Sequence, residues 1–223
     1  SEDQSRLARL IRQRDAVAEE LDLEPSVLAP RAVLEGAVAA AGRGDGPAVG
    51  GEADRPDGAV LAVERAAFSS NKEARLVETL MDDPSARPAF SLLAFREDRA
   101  VGHILFTRAA VAGAPELSAA ILAPLAVVPE AQNQGIGGAL IQHGLQALTA
   151  SKIDLVFVLG YPDYYTRHGF EPAGRLGWDA PYPIPPQNAD AWMVQPLRPG
   201  VLGEYRGRVI CADKLDRPKY WRE

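Results

Sequence analysis

Two stretches hold residues that could do chemistry. The first, PLAVVPEAQNQGIGGALIQHGLQAL (124–148), runs from an apolar strand-like segment through a polar turn into a helix-like pattern. The turn carries Gly135, Gly137 and Gly138. The second, PDYYTRHGFEPAG (162–174), places Tyr165 four residues before Gly169 and Phe170. A glycine turn between strand and helix can aim backbone N–H groups at an anion, and the helix N-terminus adds roughly half a positive charge. The order of glycines tests which anion. A triphosphate loop needs Gly-Lys-Ser/Thr, but Ala139 and Leu140 follow Gly138 and the next lysine is Lys152. A dinucleotide fingerprint needs a third glycine at 140, where leucine stands. What remains is Gln-x-x-Gly-x-Gly, at Gln132, Gly135 and Gly137, which could hold a pyrophosphate on backbone donors alone or simply start a helix.

Other chemistry is thin. His103, His143 and His168 lie far apart and offer no metal-ligand spacing, so no metal is expected. The one cysteine, Cys211, lacks a sequence-adjacent histidine or acid, excludes an internal disulfide and reads as a small buried residue. A net charge of −6 argues against a nucleic-acid surface. No run of 18 apolar residues is present and the start, SEDQSRLARL, is charged; neither a membrane span nor a signal peptide is expected, and the chain reads as cytoplasmic.

These stretches need elements to position them. Residues 5–22 repeat apolar side chains at three and four, and about 32–41 reads as a second helix. We therefore read 1–45 as a helical extension. Residues 46–58, rich in Gly, Pro and Asp, read as a linker, and 59–223 as one domain. Within it, 59–68 and 72–83 read as helices. FSLLAFRED (90–98) and AVGHILFTRAAV (100–111) read as a hairpin, and 118–129 as a third strand. A helix follows from about 137, then LVFVLG, apolar without interruption and so buried on both faces. The strand–helix–strand unit over 121–160 should pair its strands in parallel. The fold class is mixed α/β, an α+β arrangement around one mixed sheet. AWMVQPL (191–197) and RGRVICA (206–212) add later strands.

The strand APLAVVP, the turn QNQGIG, the strand LVFVLG and the block YYTRHGF, in this order, resemble the GNAT superfamily of acetyl-CoA-dependent N-acetyltransferases. GHILFT, QGIGGAL and VLGYPDYYTRHGFEPA look like its branch with a VLG-x-P-x-YY-x-R-x-GF signature, over about 59–208. The resemblance implies a GNAT-like acyl-CoA N-acyltransferase fold with two central strands that splay apart. It implies acetyl-CoA as cosubstrate, no metal, and a primary amine of a small molecule or a protein as acceptor, attacking directly in a ternary complex. Leu125, Val127 and Val128 would offer backbone groups to the pantetheine arm. Gln132, Asn133, Gln134, Gly135, Ile136, Gly137 and Gly138 would wrap the pyrophosphate. Tyr165 would touch the cofactor and act as general acid for the departing thiolate. Two departures stand out: Val158 and Tyr161 occupy places where many relatives carry an asparagine run, and the usual first strand is missing or poorly built.

The base is open. His103, in VGHILFT, is a candidate against the plainer reading of a packed strand histidine. His168 and Glu116 read as exposed, and His143 as surface. Tyr164 would face away from Tyr165 on an extended backbone. Trp178 and Trp192 could line an acceptor pocket but read first as core. Residues 1–35 are similar to part of an HRDC-type helical segment of ribonuclease D proteins. A monomer or homodimer is expected. The competing functions are a non-catalytic acyl-CoA sensor and an RNA-associated protein acting through the N-terminal helices.

Overall fold

The computed structural model describes residues 48–51, 58–68, 71–96 and 99–221, the first group by backbone alone. The HRDC-like segment lies outside the described residues. In chain order the described strands and α-helices begin with β1 (Ala48–Gly51), α1 (Gly58–Ala67), α2 (Lys72–Met81) and β2 (Phe90–Arg96). Then come β3 (Arg99–Val111), β4 (Ala119–Val127), α3 (Ile136–Ala150), β5 (Leu155–Leu159) and the single turn α4 (Pro162–Tyr165). The later elements are β6 (Glu171–Pro172), β7 (Trp178–Asp179), β8 (Trp192–Pro196), α5 (Val201–Glu204) and β9 (Gly207–Ile210). The sheet order is β1-β2-β3-β4-β5-β8-β6, with β9 pairing β3 and β7. No described helix is long and apolar enough to cross a membrane.

β1 corrects the expectation at 46–58. Its residues, AVGG, lie inside the stretch read as a linker and pair antiparallel with β2, Ala48 opposite Phe95 and Gly51 opposite Leu92. Backbone pairing, not side-chain pattern, makes this strand.

The chain divides into two compact units. The first comprises residues through Asp82, Phe90–Leu105 and Pro124–Ser151. Its helices follow their apolar periods. α2 buries Ala74, Leu76, Val77, Leu80 and Met81; α1 buries Val60 and Val63, and with them the charged Glu64. α3 buries Ile136, Leu140, Ile141, Ala147 and Leu148. It approaches β3 where side chains are smallest: a Cβ on Gly102 would stand 2.9 Å from Ile136 Cγ2 and 3.3 Å from the Ala126 carbonyl.

The second unit comprises Asp83–Ala89, Phe106–Ala123 and the chain from Lys152 onward. β4 and β5 pair in parallel as expected: Ala119, Ala120, Ile121 and Leu122 against Leu155, Val156, Phe157 and Val158. The ladder ends there, although β4 continues to Val127. β5 is buried on both faces through Val158. Phe157 is its centre: Trp192 stacks on it at 5.2 Å and Trp178 meets it edge-on at 5.8 Å. The Trp192 indole N–H donates to the Trp178 carbonyl at 3.0 Å. Both tryptophans are therefore core rather than pocket wall. Asp154, just before β5, accepts from Ser118 N at 2.9 Å and from Arg198 Nε at 2.7 Å, anchoring the start of the strand.

Candidate active site

The glycine turn belongs to the first unit. After β4 the chain makes one 3-10 turn, Pro129–Ala131, and reaches Gln132 extended. Asn133 then takes φ 58° and Gly135 φ 80°; both are left-handed, a cost that glycine does not bear and that asparagine bears better than most residues. Gly135 is the N-cap of α3, and Ala139 N donates to its carbonyl at 2.9 Å. Ile136, Gly137 and Gly138 thus carry first-turn N–H groups with no intrahelical acceptor. The Ile136 side chain is core, so only its backbone faces the turn.

Two glutamines brace this geometry from inside. Gln132 Nε2 donates to the Val127 carbonyl, and Gln134 Nε2 to the Glu130 carbonyl, each at 3.0 Å. Val128 is different. Its side chain is buried, and its N–H already donates to the Val101 carbonyl at 3.0 Å, so that amide is committed to the sheet. Leu125 and Val127 lie past the last β4–β5 pair.

The turn also receives two side chains that sequence reasoning missed. Arg96, at the end of β2, sets Nη2 2.5 Å from Gln134 Oε1; Arg99, at the start of β3, sets Nη2 2.6 Å from Glu130 Oε1. The Glu130 backbone N–H, then Arg99, hold the Glu130 carboxyl below its ordinary range.

His103 is also in the first unit, but not where a base could work. It is 0% exposed, with Nδ1 2.5 Å from Glu64 Oε1 and Nε2 3.0 Å from Ser91 Oγ. Cut off from solvent and held at both ring nitrogens, it does not meet an incoming amine; the role of direct base is withdrawn from it.

The tyrosine segment belongs to the second unit. Its backbone is helical, not extended: Pro162 opens α4, and Tyr164 and Tyr165 both donate their N–H to the Tyr161 carbonyl. Tyr164 therefore does not point away from Tyr165; the rings meet edge-to-face at 5.2 Å. Phe170 packs on Tyr165 at 5.5 Å and Gly160 lies against its edge. Tyr165 is 8% exposed, and burial, followed by Tyr164, pushes its phenol far above the usual tyrosine range. The hydroxyl keeps its proton at any physiological pH.

The remaining candidates are peripheral. His168 is half-buried, not exposed, with its ring 5.2 Å from Tyr164 and its pKa lowered by burial and then by Arg167. His143 is half-buried on α3 rather than fully at the surface; burial lowers it, and its Nδ1 has no partner. Glu116 is exposed. Cys211 is buried and its thiol is pushed up to about 12, chiefly by burial, which leaves it inert as a nucleophile. Among the described residues no group of three or more His, Cys, Asp or Glu could hold a metal.

The structure thus combines a mixed sheet with a parallel strand–helix–strand centre, a glycine turn opening the helix and a buried tyrosine after the next strand, and the comparisons with known proteins place this combination among the acyltransferases. The family model "Acetyltransferase (GNAT) domain" matches residues 88–172. The chain is 51% identical over 158 residues to "Uncharacterized N-acetyltransferase YjhQ" of Escherichia coli (strain K12), covering 69% of this chain and 86% of that protein. It is 34% identical over 161 residues to "Uncharacterized N-acetyltransferase YhbS" of the same strain, covering 70% and 90%. The crystal structure of the Escherichia coli YhbS in complex with CoA superposes with a TM-score of 0.68 at 28% identity, over 77% of this chain and 93% of that one. A GNAT family acetyltransferase from Brucella melitensis in complex with acetyl-CoA gives 0.55 at 26%, over 71% and 90%. The chain belongs to the GNAT family of N-acetyltransferases.

Proposed function

We propose that this enzyme moves the acetyl group of acetyl-CoA to a primary amine, on a small molecule or a protein, by direct attack in a ternary complex. The observation that carries the reading is the turn at 132–138. It opens three N–H groups of a helix start, at Ile136, Gly137 and Gly138, suited to a pyrophosphate. That two relatives of this fold hold CoA or acetyl-CoA supports it. Leu125 and Val127, free of the β5 ladder, would run beside the pantetheine arm.

The reaction joins the amine nitrogen to the acetyl carbon, and the carbon–sulfur bond breaks. The nitrogen loses one proton and the leaving sulfur gains one. A free alkyl ammonium has a pKa near 10.4, so the amine must first shed a proton. Holding both substrates together supplies much of the rate. Tyr165 would hydrogen-bond the developing thiolate. Because its phenol stays protonated, it donates a hydrogen bond as negative charge builds on sulfur, and the sulfur takes its proton from solvent. His103, sealed away, leaves the amine's proton to solvent.

The test is calorimetric titration with CoA and acetyl-CoA, then a thiol-release screen over amines. Tyr165→Phe should lower turnover at least about a hundredfold with CoA affinity kept. A folded sample that binds neither CoA nor acetyl-CoA would sink the proposal; full turnover in Tyr165→Phe would remove the assigned donor.

A further inference from the structure

The turn proposed to hold a pyrophosphate has no cation of its own. From 124 to 148 the sequence contains no lysine or arginine and one acid, Glu130. Helix amides alone would offer a dianion roughly half a positive charge, beside a carboxylate that repels it. The missing charge arrives from the β2–β3 hairpin. Arg99 pairs with Glu130, and Arg96 with Gln134. Gln134 in turn donates to the Glu130 carbonyl, so its amide oxygen is the end left to face Arg96. Arg99 balances the Glu130 carboxylate, and the Arg96 guanidinium sits on a neutral amide of the turn.

The two arginines differ. Arg99 is spent on a carboxylate. Arg96 is exposed and rests on a neutral amide oxygen; among the described residues it has no acidic partner. A guanidinium has five N–H donors in a fork that fits phosphate oxygens, and an amide oxygen is a weaker acceptor than a phosphate. We infer that Arg96 is a phosphate-binding residue for coenzyme A, kept in place by Gln134, and that Arg99 serves the same anion indirectly by neutralising Glu130. This rests on the proposed cofactor turn and adds the source of its charge. The ligand chemistry is a phosphate, either the pyrophosphate or the 3′-phosphate.

The test measures dissociation constants of the full chain for coenzyme A, dephospho-coenzyme A and pantetheine. Arg96→Ala, an exposed change that should fold, is expected to weaken coenzyme A by about tenfold to a hundredfold, as loss of a charge-assisted contact does, and to leave pantetheine unaffected. Arg96→Lys, which keeps charge without the fork, should fall between. Equal weakening for dephospho-coenzyme A assigns Arg96 to the pyrophosphate; weakening confined to coenzyme A assigns it to the 3′-phosphate. Arg99→Ala should also lose affinity, and Arg99→Ala with Glu130→Gln should regain it. Wild-type protein that binds no coenzyme A defeats the cofactor reading itself. Wild-type binding with an unchanged constant in Arg96→Ala overturns the inference, and wild-type affinity in Arg99→Ala removes the indirect role.

Discussion

Glu64 Oε1 lies 2.5 Å from His103 Nδ1 with both side chains fully buried, inside the first unit of an acetyltransferase. Ser91 Oγ completes the row, while Glu64 Oε2 has no partner. Burying such a pair stabilises little, but breaking it is costly. Glu64→Leu alone should destabilise by about 1–3 kcal/mol, because the imidazole loses its hydrogen-bond partner in a dry interior. Glu64→Leu with His103→Leu should recover most of that loss. Urea unfolding midpoints measure both. A double variant no better than the single one would mean that the pair is worth more than its own repair.

Gly160 and Tyr165 set the second expectation. A Cβ at Gly160 would stand 2.4 Å from Tyr165 Cε2 and 3.0 Å from Cδ2, so Gly160→Ala must move the ring. The packing cost should be about 1–3 kcal/mol. Displacement of the donor should lower turnover by at least about tenfold. Steady-state thiol release checks this; wild-type turnover in a folded Gly160→Ala protein would show that ring position is not critical.

Asp83 gives the second unit one acid-sensitive set of contacts. Its Oδ1 accepts from Ser85 N at 2.9 Å and Ser85 Oγ at 2.7 Å, and its Oδ2 from Lys214 N at 2.8 Å. Burial alone would raise this carboxyl; the Ser85 hydroxyl and the Lys214 and Ser85 amides outweigh it and hold it below its ordinary value. A depressed folded-state value means stability that is present above the unfolded value, near 3.9, and lost as pH falls through the folded one. Asp83→Asn should therefore cost about 1–3 kcal/mol at neutral pH. The gap from wild type should close as pH drops below about 4. A gap constant down to pH 3 in denaturant titrations would contradict this.

Gly102 and Ile136 should be coupled. Gly102→Ala adds a carbon 2.9 Å from Ile136 Cγ2 and 3.0 Å from Leu140 Cδ1. We expect a loss of about 1–3 kcal/mol, part of which a second change, Ile136→Val, relieves. A double-mutant cycle with an interaction energy below about 0.5 kcal/mol would reject direct contact.

The centre of this fold is written plainly in the residues. LAPLAVVP, GGALIQHGLQAL and LVFVLG alternate apolar run and helical period without ambiguity, and β4, α3 and β5 fall where those patterns lie. β1 is illegible because AVGG offers almost no side chain to pattern; only its pairing to β2 reveals it. Pro162 is the sign that the tyrosines begin a helix, since proline suits the first helical position. Glu64 was hidden by its own periodicity, spaced with Val60 and Val63 as an apolar residue would be. Arg96 and Arg99 could not be found from spacing: their partners stand 38 and 31 residues away, and only the return of β4 past β3 brings them together.

The turn proposed to hold the cofactor therefore divides shape from charge. The conformation comes from one segment, around Gly135, and the guanidiniums that reach it from another, the end of β2 and the start of β3. Transplanting QNQGIGG into a different scaffold would carry the cradle without its electrostatics, and the graft would hold an anion only at low ionic strength. Conversely, on the proposed reading, exchanging the hairpin arginines would retune salt tolerance while Asn133 and Gly135 keep the left-handed backbone that shapes the turn.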